Sequence, residues 1–306
     1  MIEFVVKRLL WTLLIFWVVF TITFFLMRAV PGGPFDGEKA LDPDIKKNFE
    51  KRYNMNLPIE QQYVLELGRY CRGDFGLSMK IRDFSINDII AQGFPVSATL
   101  GLGALLFALT LGISAGSISA VNRSGGLDVG LMTVATVGIA LPEFVVAGLV
   151  VILFVFIIPI FPAAGWGSLQ QLVLPIICLG LPYAAYIARL TRTGMLDVLS
   201  QDYIRTARAK GLLPRTVIIR HALKGALLPV VSYVGPAAAG ILTGSMIEEK
   251  IFALPGMGVH LVESCAQRDF SLAMGLTMFY TLILCAMNFI VDVLYKLLDP
   301  RIKLEV

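Results

Sequence analysis

The 306-residue chain is 57% hydrophobic and only 16% charged, with a mean hydropathy of +0.76 and a formal net charge of +4. Soluble domains average about 45–50% apolar residues and about 25% charged ones, so this much apolar surface does not fit inside a water-soluble globule. The mild charge offers no basic face for nucleic acid, and Cys71, Cys178, Cys265 and Cys285 form no C-x-x-C pair, which argues against a disulfide scaffold and a structural zinc site.

A bilayer core of about 30 Å takes roughly 20 apolar residues as helix, and six stretches reach that length. In lipid each span must satisfy its own backbone, so helices are expected throughout. The first stretch, residues 9–27, follows Lys7 and Arg8. Its run is longer than the apolar part of a signal peptide, and no small-x-small cleavage site precedes Arg28, so a retained anchor is expected.

From Arg28 to Pro95 the chain carries ten basic and ten acidic residues and reads as a small polar cap on the outer side. Asp42-Pro43 opens a helix with Ile45, Phe49 and Tyr53 four apart on one face. Pro58 opens a second, with Ile59, Tyr63, Leu67 and Tyr70 as its buried stripe. The remaining spans are residues 97–121, 131–158, 172–188, 227–247 and 272–298.

Direction comes from the basic residues of the short loops. Lys7, Arg8, Arg123, eight residues between the fourth and fifth spans, and Lys296, Arg301 and Lys303 fall on one side, against Lys250 and Arg268 on the other. Both termini are therefore expected in the cytoplasm. Two parts follow: residues 1–93, an anchor plus extracytoplasmic cap, and residues 94–306, a five-helix core with a cytoplasmic loop and short tail.

Catalytic patterns are missing. Gly32-Gly33-Pro34-Phe35-Asp36-Gly37 is followed by Glu38 and Lys39, where a phosphate-binding loop needs Lys and Ser or Thr. His221 and His260 fall on opposite sides of the membrane, and no H-E-x-x-H or G-x-S-x-G occurs. The chain is expected to hydrolyse nothing by itself and to hold no catalytic, cofactor or metal residue.

Charges inside spans are scarce. Glu143, after Pro142, reads either as a functional carboxylate or as a side chain facing a wet cavity, and Asp292 as the partner of Lys296 one turn on. Gly112-x-x-x-Gly116 and Gly240-x-x-x-Gly244 are patterns that let helices approach closely. Pro142, Pro175, Pro182, Pro229 and Pro236 are expected to interrupt spans, with Pro142, Glu143, Pro229 and Pro236 as candidate pathway or hinge positions.

The loop between the fourth and fifth spans holds the main signal: Asp202-Tyr203-Ile204-Arg205-Thr206-Ala207-Arg208-Ala209-Lys210-Gly211-Leu212. Ser200 or Asp202 can cap a short helix, Gly211 is a natural stop, and Pro214 follows. Ile204, Ala207, Arg208 and Gly211 share a small, mildly apolar face that suits either a partner's groove or anionic lipid.

With Arg220-His221-Ala222-Leu223 and Leu227-Leu228-Pro229, this loop resembles the signature loop of permease subunits in bacterial ABC importers, Arg205-Thr206-Ala207 standing in for Glu-Ala-Ala. Arg28-Ala29-Val30-Pro31-Gly32, Gly73-Asp74-Phe75-Gly76-Leu77-Ser78, Phe94 to Leu100, Leu254-Pro255-Gly256-Met257-Gly258 and Asp299-Pro300-Arg301 extend the resemblance over nearly the whole chain, to the B-type permeases of peptide importers.

The resemblance implies an all-α integral membrane protein with six transmembrane helices, forming half of an oligopeptide or dipeptide pathway in a bacterial inner membrane. It implies a homologous second permease, two ATPase subunits that bind ATP and magnesium, and an extracytoplasmic peptide-binding protein. The segment Asp202 to Leu212 would couple to one ATPase. An ion-gradient-driven carrier of small peptides is the alternative, which would call for inverted repeats and a charged midplane site.

Overall fold

The computed structural model of the protein describes residues 2–30, 43–81 and 84–298, and of residues 2–4, 43, 45, 46 and 294–298 the backbone alone. The Gly32 to Gly37 run, Pro31, the Asp42 helix start and Asp299-Pro300-Arg301 lie outside the described residues, as do the side chains of Ile45 and Lys296.

Among the described residues the chain is helical, with one isolated bridge between Leu77 and Ser85. In order the helices are α1 (Ile2–Ala29), α2 (Pro43–Arg52), α3 (Ile59–Tyr70), α4 (Ile86–Val121), α5 (Gly126–Ala140), α6 (Glu143–Val151, continued by a π-turn Ile152–Ile157) and α7 (Leu169–Leu199). Then come α8 (Asp202–Ala209), α9 (Pro214–Thr216, continued by a π-turn Val217–Ala222), α10 (Leu223–Ala226), α11 (Leu228–Leu242), α12 (Met246–Ile251), α13 (Met257–Ala266) and α14 (Phe270–Leu298).

Among the described residues five helices are long and apolar enough to cross a membrane, Val5–Ala29, Ile86–Val121, Leu169–Leu199, Leu228–Ile251 and Phe270–Val293, or six if a bent pair counts as one span. The third expected span is instead a pair, Gly126–Ala140 and Glu143–Ile157, bent by 109°. Its cause is local. Pro142 lacks an N–H, and the residue before a proline is driven to extended backbone. Leu141 accordingly has φ −80° and ψ 133°. The other prolines act more gently: Pro229 begins α11, and Pro175, Pro182 and Pro236 sit inside continuous helices.

The chain forms two compact units. The first comprises residues 1–94 and 257–282. Phe20 and Phe24 of α1, Tyr70 of α3, Phe75, and Leu272, Leu276 and Met278 of α14 are buried together at its centre. Aromatic edges meet there, Phe20 on Tyr63 and Tyr70 at 5.4 Å each. Burial pushes the Tyr70 phenol well above its ordinary pKa. On α3 the stripe is shifted from expectation. Ile59 is 42% exposed and Gln62 is buried instead. Gln62 tolerates burial because its amide is satisfied, accepting from Arg28 at 2.8 Å and donating to the Leu57 carbonyl at 2.8 Å. Phe49 and Tyr53 do share a face, with rings 4.3 Å apart.

The Gly73 to Ser78 motif builds a corner in this unit. Gly73 and Gly76 have φ of +74° and +90°, and the Asp74 carboxylate accepts from the Gly76 N–H at 2.9 Å. Arg69 donates to Asp74 at 3.0 Å and holds its carboxyl below the usual range. Ser78 and the amides of Met79, Lys80 and Leu272 all donate to the buried Asp269 carboxylate, tying the corner to the start of α14.

The second unit comprises residues 95–256 and 283–306, and α7 is its hub, with α5, α6, α10, α11 and α12 packed on it. Glycines let α4 reach α7. A methyl on Gly112 would lie 2.7 Å from the Ala184 carbonyl oxygen, and one on Gly116 would strike that of Ala188. The Gly240 pair behaves otherwise: Gly240 has ordinary clearance from Tyr183, and Gly244, at φ +89°, follows the end of α11.

Candidate functional site

At one end of the second unit, α7 hands over to α8 through a tight turn. The Ser200 hydroxyl donates to the Asp197 carbonyl at 2.7 Å, so it closes α7 rather than opening α8. Gln201 is the residue before α8, and Asp202 already lies in the first turn, where its charge suits the positive end of the helix dipole. Neither expected side-chain cap is therefore made. Thr206 donates its hydroxyl to the Asp202 carbonyl at 3.0 Å, and the exposed Asp202–Arg205 pair at 3.4 Å adds little.

The stop is as expected. Gly211 has φ +75°, a left-handed conformation that L side chains disfavour. Its N–H donates to the Arg208 carbonyl at 3.0 Å, and that of Leu212 to the Ala207 carbonyl at 3.4 Å. The chain then turns into the helical segment from Pro214 to Ala226, which includes the π-turn Val217–Ala222, a geometry frequent at functional sites.

The structure corrects which face of α8 is free. Ile204 is fully buried and Ala207 nearly so, in a cluster with Met195, Ala120, Val217, Ala222 and Ala226. The apolar half of that face, Ile204 and Ala207, is thus engaged by the chain itself, while Arg208 and Gly211 stay exposed. Tyr203, Arg205, Thr206, Ala209, Lys210, Gly211 and Leu212 remain exposed. The anchor continues through Gly194 of α7, which sits directly against the Ala226 carbonyl, where a methyl group would collide. Thus α8, the Pro214 to Ala226 segment and α7 are packed together.

Two features escaped the sequence reading. Arg192 of α7 donates twice to Asp128 of α5, at 2.7 and 2.8 Å. Asp128 also accepts from the Ser119 hydroxyl at 2.5 Å and the Ser124 N–H at 2.8 Å, so the α4–α5 turn is clamped to the hub about two turns before the end of α7. Arg192 reads in sequence as one more loop cation, and Asp128 carries no motif. The only signal is an acid at the start of an apolar span opposite a basic span end.

The second feature surrounds the bend. Glu143 opens α6, and α12 packs on α6. Glu248 of α12 is fully buried, with neither carboxylate oxygen hydrogen-bonded among the described residues, while the neighbouring Glu249 accepts from the Ser97 hydroxyl at 2.7 Å. Gly256 packs directly on the Glu249 carboxylate, which explains a glycine in the Leu254 to Gly258 motif. Rings of Tyr186 and Tyr233 meet with centroids 4.4 Å apart and planes tilted by 33° in the same unit. The sequence places Glu248 and Glu249 just beyond the fifth span, whereas the helical run of that span extends to Ile251. Among the described residues no cluster of His, Cys, Asp or Glu could hold a metal ion.

Among the described residues, then, the chain is a set of long apolar helices with a short polar helix, α8, anchored beside the end of the hub helix α7. Residues 90–304 match the family described as binding-protein-dependent transport system inner membrane component, and the chain belongs to that family. It is 46% identical over 305 residues to the oligopeptide transport system permease protein OppB of Escherichia coli strain K12, covering 99% of this chain and 100% of that one. It is 47% identical over 288 residues to the dipeptide transport system permease protein DppB of Bacillus subtilis strain 168, covering 94% of each. Among solved structures, the inward-facing MetNI methionine ABC transporter superposes with a TM-score of 0.56 at 16% identity, over 69% of this chain and 96% of that one, a likeness of fold. The chain is thus a multi-pass inner-membrane permease subunit of an ABC transporter, and ATP hydrolysis belongs to a separate subunit.

Proposed function

We propose that this permease forms half of the pathway of an ATP-driven importer of oligopeptides or dipeptides, and that Asp202 to Leu212 is the segment through which an ATPase subunit drives it. The cargo class rests on the names of the relatives. The coupling role rests on one observation: α8 is anchored to its own chain by Ile204 and Ala207 and presents its polar side outward. ATP can bias the spans only through a contact that differs between states, and a helix joined to the hub supplies one. Both termini face the cytoplasm in this reading, residues 28–95 face outward as a cap, and ATP and magnesium stay on the ATPase subunits. A homologous permease completes the pathway, and a peptide-binding protein delivers cargo from outside. Pro142 with Glu143 at the sharp bend, and Pro229 at the start of α11, are the hinge positions, and Pro236 adds compliance within that helix.

The test is peptide uptake by cells whose own copy is replaced by Gly211→Val. Left-handed strain of about 1–2 kcal/mol on a non-glycine residue would displace the end of α8. Uptake is expected to fall roughly tenfold or more, taking 1.4 kcal/mol per decade, with the protein still inserted. Normal uptake would overturn the coupling assignment.

A further inference from the structure

Beside α8 the second unit carries a groove of 620 Å³, formed where α4 and α7 end at Val121 and Leu199. Its walls are apolar, including Leu196, Leu199, Val217 and Ile218. Two guanidiniums line it, Arg123 from the α4–α5 turn and Arg208 from α8, and none of its described lining residues is a carboxylate. Both arginines are exposed, and neither makes an ion pair among the described residues, whereas Arg205 on the same short helix pairs with Asp202. Arg208 is thus turned along the chain's own groove.

We propose that this groove binds an anionic phospholipid, its phosphate held between Arg123 and Arg208 and an acyl chain laid on Leu196, Leu199 and Val217. Guanidinium is suited to phosphate because its planar donors match the oxygens in pairs. A free phosphate would gain nothing from the apolar wall. The bilayer supplies both halves of the ligand at the depth where two apolar helices end, and basic pockets between spans on the cytoplasmic side recognise anionic headgroups. The bound lipid bridges the α4–α5 turn to α8 and so steadies the coupling segment at the membrane surface. The site does not depend on the cargo and stands even if the peptide assignment fails.

The experiment uses the assembled transporter in nanodiscs that contain photoreactive phosphatidylglycerol or photoreactive phosphatidylcholine, with cross-links located by mass spectrometry. Phosphatidylglycerol is expected to label residues 196–218 in the wild type, with phosphatidylcholine labelling them far less. Arg123→Gln with Arg208→Gln loses the label, and the paired Arg→Lys replacements, which keep the charge but not the paired donors, keep a weaker one. Leu199→Trp, which fills the apolar wall and leaves both cations in place, displaces it too. Equal labelling by the two lipids, a label that survives the double glutamine variant, or cross-links from the groove to an ATPase subunit in place of lipid would each overturn the proposal.

Discussion

Ile204 and Gly211 do opposite jobs within eight residues of each other. One fixes α8 to the protein, and the other ends it so that the chain can turn back. Ile204→Ala removes a fully buried side chain and leaves a cavity, at a cost of about 2–5 kcal/mol. That change is expected to loosen α8 first, so limited proteolysis should cut after Arg205 or Arg208 in the variant before it cuts elsewhere. Intact resistance at those sites would mean that α8 is held by something other than this anchor. The Asp128–Arg192 clamp calls for a double variant. Arg192→Gln leaves the Asp128 carboxylate without its main partner and is expected to lower thermal stability. Adding Asp128→Asn should recover part of the loss, and a double variant whose loss equals the sum of the two single losses would show the pair to be energetically uncoupled. For Glu143, replacement by Gln is expected to leave ATP-driven uptake largely unchanged. Complete loss with an assembled complex would favour the reading of Glu143 as a functional carboxylate.

Helices show how far composition reaches and where it stops. Residues 9–27 were legible as a span because lipid demands a long apolar run and nothing else. The bend at Leu141-Pro142 was only half legible: the proline was visible, but a 109° break and a tolerated Pro175 or Pro236 carry the same letter. What separates them is whether neighbouring groups accept the freed carbonyl, which is a tertiary matter. The same limit holds for Gly112 and Gly240. Both open small-x-x-x-small patterns, yet only the first lies against another backbone. Gly116→Leu is therefore expected to force α4 off α7, with overpacking costs of about 1–3 kcal/mol or more, and to reduce the yield of folded protein in a detergent thermal-shift assay. Gly240→Leu should be the milder of the two, and equal loss would contradict this packing. For α8 the sequence showed a helix, its stop and its apolar face. It could not show that Ile204 and Ala207 were already covered, since that depends on Val217 and Ala222 returning from a later turn.

For the whole molecule, family membership and the structure meet at one physical requirement. A permease whose ATPase is a separate subunit must take its energy through a surface, and in the proposed reading that surface is the exposed side of α8, whose buried side shares a cluster with Ala226, which lies against Gly194 of the hub helix. Cargo leaves a weaker imprint on such a chain than coupling does, because an external binding protein can carry out the selection. The measurement that tests this account most directly is gentle affinity purification of the chain from its native membrane, followed by mass spectrometry of what comes with it. The account predicts a second six-span permease together with P-loop ATPase subunits. Recovery of the chain alone, or only as a homo-oligomer, would contradict it and make an ion-coupled carrier the reading to pursue.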